Sequence, residues 1–170
     1  MERIGSRFYK KLLLEFLGLL KEEFRKRLVS VVLYGSIARG EGKKRSDIDL
    51  LLILEDPELN YHRRLDHILD LAERLKTSKA YMKQIEKVGN EPYFSFLILS
   101  RKEAQENRYL FLDMIDDAQI LYDQKGFFAK RLHQMKKRLQ GLGSQKILLK
   151  NGSWYWDLKP DLRAGDEFTL

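Results

Sequence analysis

The 170-residue chain contains no cysteine, which excludes disulfides, thiolate nucleophiles and cysteine-based zinc sites, and nothing in it calls for an oxidising compartment. A cytoplasmic protein is expected. Histidine is scarce as well, with three in the chain. His62 and His67 are five apart, off the four-residue spacing that lets two imidazoles share a metal on one helical face. Long uncharged apolar runs are also missing. The segment from Phe8 to Leu20 is interrupted by Lys10, Lys11 and Glu15, which leaves neither a span fit for a bilayer nor a signal peptide. No membrane partner is expected.

What is present describes a folded domain with a densely charged surface. Hydrophobic residues make up 44% and charged residues 34% of the chain, enough for one real core and too little length for two comfortable domains. Lysine and arginine number 32 against 25 acidic residues, a net charge of +7. That balance favours a polyanionic partner such as nucleic acid or the phosphates of a nucleotide, although a plain basic surface explains it equally well.

Apolar residues at helical spacing predict a long amphipathic helix over 7–27, followed by a β-branched strand over 28–34 that Gly35 stops. From Ile48 to Leu54 every position but Asp49 is apolar, so this strand is expected to be covered on both faces and central in its sheet. Asp56-Pro57 ends it. A second helix is predicted from Tyr61 to about Leu75, a turn or short strand over 84–88, and a break at Gly89-Asn90-Glu91-Pro92. Residues 93–99 form a third strand, and Ser100 with Glu103 reads as a capping box opening a helix over 101–117. A short fourth strand over 119–122, a basic helix over 127–140 and a hairpin around Asn151-Gly152 complete the chain. Trp154 and Trp156, on one face of that hairpin, are read as staples to the main domain, with base stacking as the alternative. Residues 1–125 are expected to form the main domain, and residues 126–170 a helix-and-hairpin extension packed on it.

The stretch with chemical content is Leu33-Tyr34-Gly35-Ser36-Ile37-Ala38-Arg39-Gly40, followed by Arg45-Ser46-Asp47-Ile48-Asp49-Leu50. Two carboxylates at i and i+2 on a strand point the same way, with Cα atoms about 7 Å apart. Like charges so placed call for a cation between them, and Mg²⁺ takes such hard oxygen ligands together with water and substrate phosphates. Gly35 permits a tight turn at the strand end, while the amides and hydroxyl around Ser36 suit a phosphate. Arg39 and the Lys43-Lys44-Arg45 run add positive charge. Asp113, Asp116 and Asp117 form a second acidic group, read as the exposed face of a helix.

Gly35-Ser36, ten intervening residues, then Asp47-Ile48-Asp49 resembles the signature of the DNA polymerase beta superfamily of nucleotidyltransferases, and particularly its minimal nucleotidyltransferase members. The resemblance is specific over residues 31–54. It implies an α/β (α+β) nucleotidyltransferase fold: a small mixed sheet with helices mostly on one face, carrying a C-terminal helix and β-hairpin. It implies that Asp47 and Asp49 are catalytic and bind two Mg²⁺ ions, and that Gly35, Ser36, Arg39 and Ser46 contact ATP or another nucleoside triphosphate. The reaction implied is transfer of a nucleoside monophosphate, AMP above all, to an acceptor hydroxyl. The family brings a third carboxylate from a neighbouring strand. Here Ser95 stands at the expected place, and Glu91, just before the strand, is the candidate third metal ligand. Stand-alone members of the minimal group often act as antitoxins by adding AMP to a HEPN-domain ribonuclease, so such a partner is expected as a separate polypeptide. The alternative is a catalytically weak or inactive nucleotide- or RNA-binding module, with the basic helix over 127–140 meeting RNA.

Overall fold

The structure, a computed structural model, describes residues 3–55, 60–150, 153–163 and 167–168. The expected stop at Asp56-Pro57 and the hairpin turn at Asn151-Gly152 lie outside the described residues.

Helix α1 (Ser6–Phe24) buries Tyr9, Leu12, Leu13, Phe16, Leu17, Leu20 and Phe24, the stripe its periodicity predicts. It ends three residues earlier than expected. Arg25 takes a positive φ of 47°, which breaks the i→i−4 ladder, and Arg25–Arg27 close as a tighter 3₁₀ turn. Strand β1 (Leu28–Tyr34) leads into the one-turn helix α2 (Gly35–Ala38), and strand β2 (Ile48–Leu54) follows. Helices α3 (Tyr61–Lys76) and α4 (Lys79–Val88) lead to strand β3 (Phe94–Ser100). A short α5 (Met114–Asp117), strand β4 (Gln119–Asp123), helix α6 (Phe127–Gly141) and the hairpin strands β5 (Gln145–Leu148) and β6 (Trp154–Asp157) complete the described elements.

The main sheet has the order β3-β2-β1-β4. β1 is antiparallel to β2 and to β4, and β2 is parallel to β3. The sheet is mixed, and β2 lies inside it as its apolar run predicts. Two cores sandwich it. Val31, Leu33, Leu50, Leu52 and Leu54 face α1, α3 and α4, while Val29, Val32, Leu51 and Ile53 face Phe111, Met114 and the α6 residues Phe128, Leu132 and Met135. Helices α1, α3 and α4 lie on one face, as expected, and α6 covers the second. Its first turn is held by Asp123, whose carboxylate accepts from the amides of Phe128 and Ala129 at 3.0 Å each and from the Ser30 hydroxyl at 2.6 Å.

Two further expectations need correction. Residues 84–88 belong to helix α4, whose N-cap Ser78 accepts from the Tyr81 amide at 3.1 Å. Gln84 occupies a core-facing position, 4% exposed, and a polar residue there hides the helical period. The predicted helix over 101–117 is broken into a 3₁₀ turn at Glu103–Gln105, another at Tyr109–Asp113, and α5. The capping box does form, with the Glu103 amide donating to Ser100 Oγ at 3.1 Å. The helix stops because Glu106 turns extended (ψ 149°) after its amide closes a 3₁₀ turn on the Glu103 carbonyl at 3.3 Å, and that carbonyl also accepts from Arg108 Nε at 3.2 Å. Desolvation pushes the Glu103 carboxyl up, but hydrogen bonds from Arg64 and Ser100 outweigh it and hold it at about 2.

Trp156 and Leu158 pack against the second core, in keeping with a staple. Trp154 instead lies under Lys146, 4.3 Å from its Nζ. No described helix is long and apolar enough to cross a membrane.

Candidate active site

β1 delivers the chain to Gly35, which has φ +72°. A Cβ built there would lie 2.2 Å from Asp49 Oδ2 and 3.0 Å from its Cγ. Torsion and space both demand glycine, and the reason for the second demand is that a carboxylate rests against the Cα. Beyond Gly35 the backbone closes on itself: the Arg39 amide donates to the Gly35 carbonyl at 3.2 Å, and the Glu41 amide to the Ser36 carbonyl at 2.8 Å. The loop back to β2 is pinned from outside, with the Ile4 amide donating to the Gly42 carbonyl at 2.7 Å. Ser46 Oγ accepts from the Lys43 amide at 2.8 Å, so this hydroxyl shapes the loop.

Register sets the acid pair. Asp49 lies opposite Tyr34 on β1 and Ser95 on β3. Because side chains alternate along a strand, Asp49 shares a face with Leu51 and Ile53, the α6 side, while Leu50 and Leu52 face α1. Burial pushes the Asp49 carboxyl above its ordinary value. A hydrogen bond from Ser95 pulls it back, the charge of Asp47 pushes it up again, and that of Arg39 lowers it. Tyr34 is pushed up to about 12, first by burial and then by the negative charge of Asp49. Asp47, just ahead of β2, is exposed. No described lysine or arginine forms an ion pair with either carboxylate. Arg39, whose field reaches Asp49, pairs with Glu41 at 2.9 Å.

Gly35, Arg39, Asp47 and Asp49 are thus brought together, with Ser36 on the same turn. Glu91 is not. Its carboxylate faces the Tyr81 hydroxyl on α4 at 3.5 Å, and among the described residues no three acidic or histidine side chains cluster with metal-binding geometry. The chain places Ser95, not an acid, beside Asp49. Tyr34, opposite Asp49 in register, is a neighbour of the site that sequence reasoning did not single out. The second acidic group is a mixture. Asp116 pairs with Lys136 at 2.9 Å and Asp117 with Lys146 at 3.8 Å, whereas Asp113 is half-buried, its carboxyl pushed up by desolvation and drawn down by Arg39 and Lys146.

The donor set suits a divalent cation: two neighbouring carboxylates without cationic partners, at a sheet end where a phosphate can approach a glycine backbone. With two acids and a serine hydroxyl, most of the ion's remaining coordination falls to water and substrate.

The family model of the nucleotidyltransferase domain matches residues 13–141. A Methanocaldococcus jannaschii protein provisionally named as a protein adenylyltransferase is 34% identical over 65 residues, 38% of this chain and 58% of that protein. The match thus spans little more than half of the relative's length. Among solved structures, a chain of a toxin-antitoxin complex with AMP-PNP is similar at 16% identity and a TM-score of 0.42, over 75% of this chain and 89% of that one. A chain from the complex of a tri-AMPylated Shewanella oneidensis HEPN toxin with its MNT antitoxin is similar at 14% identity and a TM-score of 0.42, over 78% and 90%. With its Gly-Ser turn, its acid pair and a family match over most of its length, the chain belongs to the nucleotidyltransferase domain family, a family of transferases.

Proposed function

We propose that the protein is a Mg²⁺-dependent nucleotidyltransferase that moves AMP from ATP to a hydroxyl on a protein acceptor. One observation carries this reading: the Asp49 carboxylate lies against the Gly35 backbone, so a triphosphate seated on the Gly35-Ser36 turn is within reach of the acid pair. Asp47 and Asp49 would hold the cation. When bound, Mg²⁺ supplies Lewis-acid neutralisation of charge on the triphosphate and the departing pyrophosphate. A second ion, expected from the resemblance, would depend on the same two carboxylates and the nucleotide, since among the described residues no third acidic or histidine side chain clusters with them. The acceptor oxygen attacks the α-phosphorus, its proton passes to water, and the bond to the bridging oxygen breaks to release pyrophosphate. Gly35 and Ser36 position the phosphates, Arg39 adds positive charge beside them, and Ser46 acts through the loop it braces.

A protein acceptor is favoured by the name of the Methanocaldococcus jannaschii relative, and the family resemblance favours a HEPN-domain toxin in that role. Residues 1–125 carry this site, and residues 126–170 form an extension packed on it. In the test, labelled ATP, Mg²⁺ and a co-expressed HEPN protein are incubated with the chain. Label appears on the acceptor, and Asp47→Ala and Asp49→Ala each abolish it.

The second reading, a nucleotide- or RNA-binding module with weak or no transfer, rests on Ser95 beside Asp49 where the family brings an acid. Nucleotide binding with no transfer to any acceptor tried would favour it. Its RNA arm is weakened because Lys136 on α6 is already paired with Asp116 and Arg131 hydrogen-bonds Asn107.

A further inference from the structure

A cavity of about 770 Å³ opens between the first turn of α1, the Arg39-Gly40 bend and the last turn of α4. Arg3, Arg7, Arg39, Lys44 and Lys87 line it together with Phe8, and no acidic side chain does. Its volume lies in the range of small-molecule sites. Among the described residues Arg3, Arg7, Lys44 and Lys87 make no ion pair. Glu41 pairs with Arg39 and also feels Arg3, so the fold offsets part of this charge, while Arg7, Lys44 and Lys87 keep the concavity positive and favour an anion in it. The first turn of α1 adds to it: it has no acidic residue, and its N-cap Gly5 provides no side-chain acceptor.

This cavity is not the acid-pair site. Asp49 emerges on the α6 side of the sheet, with Leu51 and Ile53, whereas α1 and α4 cover the opposite side. The α2 turn stands between the two. Arg39 alone belongs to both, lining the cavity while its charge acts on Asp49.

We infer that this cavity is a second, metal-independent binding site for a nucleoside polyphosphate. The cations receive adjacent phosphate groups, and the Phe8 ring offers an apolar wall for the base. Small-ligand binding is favoured over a nucleic-acid strand because the cations converge on one concavity of small-molecule size. An occupant that engages Arg39 withdraws it from Asp49, which couples the two sites. The inference does not require the transfer reading, since neither Asp47 nor Asp49 lines the cavity.

Calorimetric titration of the full chain with ATP tests it. In EDTA, one equivalent is expected to bind. The double substitution Arg7→Ala with Lys87→Ala is expected to weaken that binding about tenfold or more, the loss of at least one charge-assisted contact. Asp49→Asn is expected to retain it. With Mg²⁺, a second equivalent appears in the unaltered chain and disappears in Asp49→Asn. No binding in EDTA, equal affinity in the double variant, or loss of the EDTA site in Asp49→Asn would each overturn the inference, as would an RNA oligonucleotide displacing ATP at lower concentration than inorganic triphosphate does. Absence of the Mg²⁺-dependent equivalent alone would count against the transferase reading and leave this site standing.

Discussion

Asp47-Ile48-Asp49 and Asp116-Asp117 are both close acidic pairs, one at the mouth of a strand and one in a single helical turn, and the fold treats them in opposite ways. Asp116 and Asp117 each meet a lysine, Lys136 and Lys146, at 2.9 and 3.8 Å. The first pair meets none among the described residues, and Asp49 is instead half-sunk beside a glycine, with its carboxyl pushed up by burial and by Asp47. Carboxylates neutralised by the fold are surface electrostatics; carboxylates kept close and unneutralised store a demand for a cation.

The sharpest way to break the contrast is Asp49→Asn against Asp116→Asn. Loss of a metal-binding carboxylate removes several kcal/mol of transition-state stabilisation, so Asp49→Asn should cut AMP transfer by about 10³-fold. Asp116→Asn should leave transfer unchanged and stability within about 0.5 kcal/mol. The sign on stability is opposite to the sign on activity. A carboxyl whose folded pKa is raised binds more protons folded than unfolded, so its ionised form opposes folding once pH passes its ordinary value. Asp49→Asn should therefore raise Tm at pH 7, where about 1 kcal/mol corresponds to ~2–4 °C in a domain of this size, and the gain should vanish below the ordinary carboxylate range. Thermal melts at the two pH values, without metal, check it.

Gly35→Ala tests whether the contact between turn and acid matters. Its Cβ would sit 2.2 Å from Asp49 Oδ2 at a φ of +72°, so the carboxylate must move. Displacement of a reacting group by about 1 Å costs on the order of 10²-fold. Transfer at the unaltered rate in a folded Gly35→Ala would detach the turn from the chemistry.

The turn and the acid pair were legible because their constraint is local: a strand, a glycine, a short loop and a second strand in continuous sequence. The α1 and α3 stripes were legible for the same reason. What stayed hidden depends on contacts across the chain. Gln84 is buried by the fold, and its polarity masked α4. The capping box opens only a 3₁₀ turn, which ends where Glu106 turns extended, and Arg108 reaches back to the Glu103 carbonyl. Glu91 lies near the site in sequence, but the descent from α4 turns it toward Tyr81. The second face of the sheet could not be inferred from α6 alone, since its apolar positions show a stripe but not what the stripe covers.

Ser95 offers a smaller, graded test. Its hydrogen bond lowers the Asp49 pKa, so Ser95→Ala should move the acid limb of transfer to higher pH, with a loss of several-fold at mildly acidic pH and little change at pH 8. Ser95→Asp, opposite Asp49 in register, should instead tighten Mg²⁺ binding, read as a lower half-saturating metal concentration. An unmoved acid limb in Ser95→Ala would mean that Asp49 ionisation does not limit the reaction.

The smallest effect belongs to the neutralised pair. Lys136 is 51% exposed and Asp116 39%, and exposed ion pairs contribute about 0.2–1 kcal/mol. Lys136→Ala should lower stability by no more than that, and 0.5 M NaCl should erase most of the difference by screening. The same salt should weaken the acid pair's hold on Mg²⁺ without abolishing it, because a chelated ion in direct contact with two carboxylates is screened far less than two side chains meeting in water. A Lys136→Ala variant that lost transfer would show that α6 charge reaches the site, and the separation between the two acidic groups would then fail.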